Sequence, residues 1–140
     1  MTKDDIIKKR LFDLFFSVFG LFLLWWFILF LAFLGYVLSG ENGFFFQNRI
    51  GQNGVLFKIF KIRTLSQNSS SVFVSYSAFL RRKKLDELPQ LLNILLGDMS
   101  FVGPRPDVSG FADELKGDYR KILKLKPGIT GPASLAFFYE

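Results

Sequence analysis

The chain has 140 residues, which is enough for one domain, and it is both oily and basic: half of its residues are hydrophobic, nineteen are phenylalanine and the net charge is +6. That combination points to a membrane surface or an anionic ligand. Cysteine and histidine are both absent from the sequence. Disulfides, thiolate chemistry, the Ser-His-Asp triad, imidazole base catalysis and the usual zinc sites are therefore excluded. An enzyme of this composition must work with carboxylates, Lys/Arg and hydroxyls, with or without a hard metal ion.

An apolar segment dominates the N-terminal part of the chain. Residues 11–38 are nearly all apolar, and only Asp13, Ser17 and small residues interrupt them. A helix needs about 20 residues to cross the hydrocarbon core, and residues 14–38 are long enough. The apolar run is too long for a signal peptide, and no small-x-small cleavage pattern follows it. The sequence predicts a retained membrane helix in residues 1–40, together with its basic N-terminal flank.

The charges around this segment bear on its topology. Basic residues lie on both sides of it: Lys3, Lys8, Lys9 and Arg10 before it, and Arg49, Lys58, Lys61 and Arg63 after it. The positive-inside rule then places both flanks on the cytoplasmic side, which a helix that enters one leaflet and returns would satisfy. Asp13 also favours an interfacial start, and it could pair with Arg10 on a helix. Because the segment holds no proline to bend it, a plain span stays open as the alternative to re-entry.

Residues 41–140 alternate short periodic segments with turns. FFFQNRIGQNGVLFKIFKIRTL predicts two strands around the turn at residues 51–54. SVFVSYSAFLRRKK predicts a helix, and DELPQLLNILL predicts a second helix with Asp86 as its N-cap and Pro89 in its first turn. DVSGFADELKGDYRKILKL suggests a broken amphipathic helix. We expect loops at SGENG, SQNSSS, GDMSFVGPRP and KPGITGPAS. The predicted fold class is α/β in the broad sense, an α+β domain that is mostly helical with a short β-hairpin.

The stretch KKLDELPQLLNILLGDMSFVGPRP, residues 83–106, places two adjacent acids directly after a basic run. In the simplest interpretation Asp86 caps a helix, Glu87 complements the helix dipole and the basic run is solvated. In the functional interpretation, neighbouring cations keep the carboxylate ionised as a nucleophile. The same cations and helix N-terminus would bind phosphate, and the two acids could help to hold Mg²⁺. Together these features suit covalent phosphoryl transfer.

The segment RRKKLDELPQLLNILLGDMSFVGPRP, together with QNRIG, FKIFKIRTL and KPGITGPAS, closely resembles the bacterial sugar transferases. These are the monotopic polyprenyl-phosphate phosphoglycosyl transferases, which initiate the synthesis of exopolysaccharide, capsule, O-antigen and other glycoconjugates. The resemblance runs from about residue 9 to residue 134. It implies a membrane-inserted helix and a cytoplasmic catalytic domain, residues 41–140, at the inner membrane of a bacterium.

The resemblance also implies a reaction and a set of site residues. Members transfer a sugar-1-phosphate from a UDP-sugar to undecaprenyl phosphate with Mg²⁺ as cofactor, and UMP is released. Carried over, Asp86 is the nucleophile that attacks the β-phosphate, and Glu87 is its partner; both lie near the metal. The positions expected to bind phosphate are Lys61, Arg63, Arg81 and Arg105. A structural role for Arg105, bracing its proline-rich loop, is the alternative.

Relatives of this kind continue for tens of residues beyond the GITG motif, so the resemblance suggests that this chain lacks the usual C-terminal region. A second function therefore stays open: an inactive, truncated, membrane-anchored subunit or remnant that binds anionic lipid or nucleotide sugar. A third function, a basic nucleic-acid binder at the membrane, has the charge but no recognised motif and no aromatics interleaved with the basic run. We therefore expect no nucleic-acid partner. The sugar and the oligomeric state cannot be derived from the sequence.

Overall fold

The structure, a computed structural model, describes residues 2–67, 70–110, 114 and 116–131, with the side chains of 118 and 119 excepted. A long helix precedes two small sheets and two shorter helices. In chain order the elements are α1 (Lys3–Ser39), β1 (Phe44–Ile50), β2 (Leu56–Ile62), α2 (Ser71–Arg82), α3 (Gln90–Leu96), β3 (Ser100–Val102) and β4 (Gly128–Thr130). The predicted mostly helical α+β fold with a β-hairpin is confirmed.

Helix α1 is a single uninterrupted helix of 37 residues. A capping box starts it, since the Thr2 side chain accepts from the Asp5 N–H and the Asp5 carboxylate accepts from the Thr2 N–H. Gly40, in the left-handed conformation, ends it. Among the described residues, α1 is the one helix long and apolar enough to cross a membrane, judged by length and composition.

One stripe of α1 is buried against the rest of the domain. The buried residues share one helical face and are mostly small or polar: Asp13, Ser17, Ile28, Leu31, Ala32, Gly35 and Ser39. Gly20 lies on the same stripe, where an added Cβ would come 3.1 Å from Leu91 Cδ1. The other face is exposed and strongly aromatic, with Phe15, Phe19, Phe22, Trp25, Trp26, Phe30 and Phe33. The few non-apolar residues of the segment therefore mark its protein-facing side.

The N-terminal third of α1 is tied to the domain by polar contacts. Lys9 Nζ donates to Ser100 Oγ and the Val102 carbonyl at 2.6 and 2.9 Å. The Arg10 guanidinium donates to the carbonyls of Ile94 and Leu95 in the last turn of α3, and the Ile94 carbonyl also accepts from the Gly97 N–H. Asp13 is buried, and its Oδ1 accepts from the Phe101 N–H at 3.2 Å. The expected Arg10–Asp13 pair is wrong, because both side chains satisfy backbone groups of the domain instead.

The C-terminal third of α1 packs on the other end of the same domain. Leu31 lies in a buried cluster with Ile62 and Leu80. The Tyr76 hydroxyl donates to the Leu31 carbonyl at 2.5 Å, and burial raises the pKa of Tyr76 to about 12, so the donor stays protonated. A Cβ at Gly43 would overlap the carbonyl of Ala32, so only glycine fits this approach. Contacts with the domain thus extend along most of the helix.

Strands β1 and β2 form the predicted antiparallel hairpin, in which Phe44 pairs with Ile62 and Ile50 with Leu56. The connection uses a short 3-10 turn at Gln52–Gly54, with Asn53 at φ 58° and Gly54 at φ 79°. Asparagine and glycine tolerate these positive φ values better than other residues. Ile59 on β2 joins Leu91, Ile94 and Met99 in the main core cluster. This packing fixes the hairpin against α3.

The helix α2 matches its prediction, but the start of α3 does not. Asp86 and Glu87 lie in a separate 3-10 turn, Leu85–Glu87, and α3 begins only after Pro89, at Gln90. The predicted N-cap role of Asp86 is therefore wrong, since Pro89 takes that position and no side chain caps the helix. Leu88 is itself helical, at φ −53° and ψ −38°, but Pro89 has no N–H to donate, so the hydrogen bonds of the 3-10 turn do not continue into α3.

Two segments expected to be loops contain short strands. Within GDMSFVGPRP, Ser100–Val102 forms β3, and within KPGITGPAS, Gly128–Thr130 forms β4; the two strands pair in parallel. The segment predicted as a broken amphipathic helix contains a 3-10 helix, Gly117–Lys124. Residues 68, 69, 111–113, 115 and 132–134 of the predicted elements lie outside the described residues.

Candidate active site

A cavity of about 500 Å³ lies between the hairpin and the turn that precedes α3. The strands β1 and β2, the segment after β2, the end of α2 and the loop after β3 all contribute to its wall. The residues that line it are Phe45, Gln47, Arg49, Lys61, Ile62, Thr64, Leu65, Arg81, Lys84, Asp86, Glu87 and Arg105. The structure thus brings five of the six predicted site residues to one cavity; Arg63 is the exception.

Asp86 is the most buried acid of this cavity, with 7% of its surface exposed. Its Oδ1 is buried and has no hydrogen-bond partner among the residues that the structure describes. Burial raises the pKa of Asp86, and the neighbouring Glu87 adds to the rise, while Lys61 and Lys84 oppose it. The expectation that the basic run would keep this carboxylate ionised is therefore incomplete, because desolvation is the larger effect. Such an orphaned, perturbed carboxylate is typical of functional sites.

Glu87 is held by Lys61 from the neighbouring strand. Lys61 Nζ lies 3.2 Å from Glu87 Oε1, and both side chains are largely shielded, at 19% and 14% exposure. This ion pair joins β2 to the turn that carries Asp86. It also leaves the Lys61 ammonium close to both carboxylates, as its effect on the pKa of Asp86 shows.

Two of the predicted phosphate-binding arginines, Arg81 and Arg105, line the cavity, and they differ in their hydrogen bonds. Arg81 is oriented by Thr64: its Nε donates to Thr64 Oγ1 at 3.0 Å, and its Nη2 donates to the Thr64 carbonyl at 2.9 Å. Arg105 is exposed and makes no hydrogen bond or ion pair with any described residue. The contacts that would let Arg105 brace its loop are thus not found in the described part of the chain.

Arg63 lies outside the cavity wall. Its Nε donates to the Asn42 carbonyl at 2.6 Å, and its Nη1 pairs with Glu41 Oε2 at 3.1 Å. Its guanidinium also lies 5.8 Å from the ring centre of Phe45, within range of a cation–π contact. Since Phe45 lines the cavity, Arg63 contacts a residue of the cavity wall without lining the cavity itself. This arrangement favours a positioning role over direct phosphate binding.

Four polar residues of the cavity were not singled out as site residues from the sequence: Gln47, Arg49, Lys84 and Thr64, the partner of Arg81. Gln47 and Arg49 lie two apart on β1, on the strand face that also carries Phe45, and Arg49 Nη2 donates to Gln47 Oε1 at 2.8 Å. Lys84 belongs to the basic run, two residues before Asp86. The period-two spacing of Phe45, Gln47 and Arg49 was the available signal, since it predicts one shared face.

The charges of the cavity suit a phosphorylated ligand. Five cationic side chains and two carboxylates line it, so the cations exceed the acids by three. Guanidinium and ammonium groups bind phosphate oxygens through charge-assisted hydrogen bonds. A buried carboxylate among them is a candidate nucleophile for phosphorus.

The donor set also fits a magnesium ion held jointly with a ligand. The described residues contain no group of three or more acidic side chains that could form an all-protein metal site. Mg²⁺ is, however, commonly bound by one or two carboxylates together with substrate phosphates. The partnerless Oδ1 of Asp86 is such an oxygen donor, and Glu87 lies beside it.

Comparison with known proteins identifies the family. The profile described as "Bacterial sugar transferase" matches residues 4–140. The chain belongs to the bacterial sugar transferase family. The exopolysaccharide production protein PSS of Rhizobium leguminosarum bv. phaseoli is 36% identical over 149 residues, which cover 94% of this chain and 74% of that protein. The resemblance suggested by the LDELPQ and VGPRP motifs is thereby confirmed.

Two relatives that are named as phosphotransferases match this chain over a smaller share of their own length. The undecaprenyl-phosphate galactose phosphotransferase of Salmonella typhimurium is 34% identical over 66% of this chain and 25% of that protein. The UDP-N-acetylgalactosamine-undecaprenyl-phosphate N-acetylgalactosaminephosphotransferase of Aeromonas hydrophila is 35% identical over 68% of this chain and 26% of that protein.

Proposed function

We propose that this member of the family transfers a sugar-1-phosphate from a UDP-sugar to undecaprenyl phosphate. The observation that carries the proposal is Asp86: a buried carboxylate with an orphaned oxygen, opening on a cavity with five cations. Two relatives are named as undecaprenyl-phosphate sugar phosphotransferases, and one of these names includes a UDP-sugar. The cationic cavity would bind the diphosphate of the donor, and its net positive charge would offset the phosphate charge.

In the proposed reaction Asp86 acts twice. Its carboxylate oxygen attacks the β-phosphorus of the donor, and the bond from that phosphorus to the bridging oxygen breaks, so that UMP leaves with the electron pair. The sugar phosphate is then held on Asp86 as an acyl phosphate. A phosphate oxygen of undecaprenyl phosphate next attacks the same phosphorus and releases the Asp86 carboxylate. Arg81, Arg105 and Lys61 would stabilise the charge that accumulates on the phosphoryl oxygens.

Asp86 and Glu87 would also hold Mg²⁺, together with phosphate oxygens of the donor. The ion would supply neutralisation of the diphosphate charge. The Lys61–Glu87 pair occupies Glu87, whereas the Oδ1 of Asp86 has no partner that a metal ion would have to displace.

The membrane helix would keep the site next to its lipid substrate. The aromatic face of α1 is exposed along the whole helix while the opposite stripe contacts the domain. Lipid would cover that face, and the catalytic domain would lie at the cytoplasmic surface of the inner membrane. Undecaprenyl phosphate could then reach the cavity without leaving the bilayer.

The test of this function separates its two steps. The purified protein is given a radiolabelled UDP-sugar and Mg²⁺ without lipid acceptor. We expect up to one equivalent of UMP and a base-labile phosphosugar adduct on the protein, both absent from Asp86→Asn. An adduct on Asp86→Asn would move the nucleophile to Glu87, and UMP release only in the presence of undecaprenyl phosphate would indicate direct transfer. Donor binding without any turnover would favour an inactive, anchored subunit.

A further inference from the structure

The backbone at Lys84 adopts an unfavourable conformation next to the candidate nucleophile. Lys84 has φ 58° and ψ 21°, in the left-handed region, and it directly follows Lys83, the C-cap of α2. Helices often end with a left-handed residue at this position, and that residue is usually glycine. A side chain with a Cβ is strained there, because the Cβ crowds the backbone.

Elsewhere in the described chain, the positions with positive φ are occupied mostly by glycine. The described residues contain five glycines with positive φ, among them Gly40 and Gly97, which end α1 and α3. Only two other residues there have positive φ, Asn53 and Lys84. Asparagine tolerates the left-handed region, whereas lysine has no such tendency. Lys84 is therefore the exception, and it is also the one of the two that lines the cavity.

The helix end does not account for a lysine at this site. The carbonyls of Phe79 and Arg81 at the end of α2 already accept from the backbone N–H groups of Lys83 and Lys84. Arg81 and Arg82 supply positive charge in the last turn. The Lys84 ammonium makes no hydrogen bond or ion pair with any described residue, although Asp86 is two residues away. Its charge acts on Asp86, but no described residue bonds to it directly, so the ammonium is available to a ligand in the cavity.

We propose that Lys84 binds a phosphate oxygen of the nucleotide-sugar diphosphate, and that the strained backbone at residue 84 is retained to place its ammonium in the cavity beside Asp86. The inference rests on the proposed function for the identity of the ligand. The Lys84 ammonium requires only a phosphorylated ligand, so the binding of such a ligand to Lys84 can be measured without catalysis. Lys84 would act with Arg81 and Arg105, which reach the same cavity from α2 and from the loop after β3.

The experiment compares Lys84→Asn, Lys84→Arg and the control Lys83→Asn. Asparagine removes the charge but suits the left-handed backbone, and Lys83 has the right-handed conformation, at φ −92°, and does not line the cavity. We expect Lys84→Asn to weaken binding of UDP and of inorganic pyrophosphate about tenfold, as for loss of a charge-assisted hydrogen bond. Its Tm should be equal to that of the wild type or a few degrees higher, since strain is relieved.

Two further variants distinguish a role of Lys84 in phosphate binding from a role in the stability of the fold. Lys84→Arg keeps the cation and should retain affinity within about threefold, whereas Lys83→Asn should leave affinity and Tm unchanged. Unchanged pyrophosphate binding by Lys84→Asn, or a lowered Tm that accompanies its weaker binding, would overturn the proposal. A protein that binds pyrophosphate through Lys84 yet releases no UMP would leave this inference standing and contradict the proposed reaction instead.

Discussion

At the scale of single residues, Asp86 combines burial with a charge that catalysis would require. Burial raises its pKa above that of the same carboxyl in the unfolded chain. The folded state therefore binds this proton more tightly than the unfolded state does. The resulting stabilisation is complete below the unfolded pKa and is lost as the pH rises through the folded pKa. At neutral pH an ionised Asp86 thus lowers the free energy of unfolding.

We accordingly expect Asp86→Asn to be more stable than the wild type at neutral pH while it loses transfer activity. The amide occupies the same volume and carries no charge to desolvate. Thermal unfolding of both proteins across a pH series checks this, and the difference in Tm should shrink as the pH falls and Asp86 becomes protonated. A variant that is less stable at neutral pH would mean that the carboxylate has favourable partners that outweigh its burial.

The two arginines Arg105 and Arg63 offer a matched comparison. Arg105 lines the cavity and has no described partner, whereas Arg63 pairs with Glu41 behind the wall. Arg105→Ala should weaken nucleotide-sugar binding by about 1–3 kcal/mol with little change in Tm. Arg63→Ala should mainly lower the Tm, since it releases Asn42 and Glu41. Calorimetric titration and thermal unfolding measure both quantities, and the reverse pattern would restore Arg63 as the direct phosphate ligand.

At the scale of secondary-structure elements, Asn93 connects α3 to the hairpin that carries Lys61. Its side chain is fully buried, its Oδ1 accepts from the Phe60 N–H at 3.0 Å, and its Nδ2 donates to the Lys58 carbonyl at 2.8 Å. The amide thus hydrogen-bonds to the backbone N–H and carbonyl groups of β2, as a neighbouring strand would. This contact fixes the distance between the turn of Asp86 and the ammonium of Lys61.

Asn93→Ala should therefore lower the free energy of unfolding by about 2–4 kcal/mol, because it removes a fully buried amide and two backbone groups of β2 lose their partner. The neighbouring change Leu92→Ala is a control, since Leu92 is 40% exposed and should cost much less. Denaturant unfolding measures both. Equal losses for the two variants would show that α3 is held by apolar packing and that the amide is dispensable.

The elements that the sequence predicted are those with a local signal. The hairpin has Gly-Gln-Asn-Gly between two alternating runs, and α2 has a clear start and a basic end. Strands β3 and β4 have three residues each and pair with one another across more than twenty residues of chain. No local pattern specifies such a distant pairing, so both segments looked like loops. The start of α3 was misplaced because Asp86 resembles a cap in sequence but is buried in a turn.

The residues that line the cavity were predictable from the sequence only in part, and the electrostatics of the cavity even less so. Motif matching placed Lys61, Arg81, Asp86, Glu87 and Arg105, which the structure brings to one cavity. The raised pKa of Asp86 depends on how deeply tertiary packing buries the turn, which the basic run in the sequence does not indicate. Likewise, Arg63, which directly follows β2, differs in its surroundings from Lys61 near the end of that strand, because Arg63 contacts Glu41 and Asn42.

At the scale of the whole molecule, the contacts of α1 restrict how it can lie in a membrane. A 37-residue helix is about 55 Å long, and a hydrocarbon core is about 30 Å thick. The domain contacts α1 near Arg10 and again near Ala32, so a perpendicular span would draw the charged domain into the lipid. A helix that stays with its domain at one membrane surface avoids that cost, whether it lies along the interface or bends in the bilayer.

We therefore expect both ends of α1 to face the cytoplasm. The chain has no cysteine, so single cysteines at Lys3 and at Asn48, an exposed residue of β1, report the two sides. Neither should react with a membrane-impermeant maleimide on intact cells, and both should react after permeabilisation. A cysteine at Trp25, on the aromatic face, should react poorly in either case because lipid covers it. Labelling of the Lys3 cysteine but not of the Asn48 cysteine on intact cells would establish a plain span and would require α1 to separate from the domain.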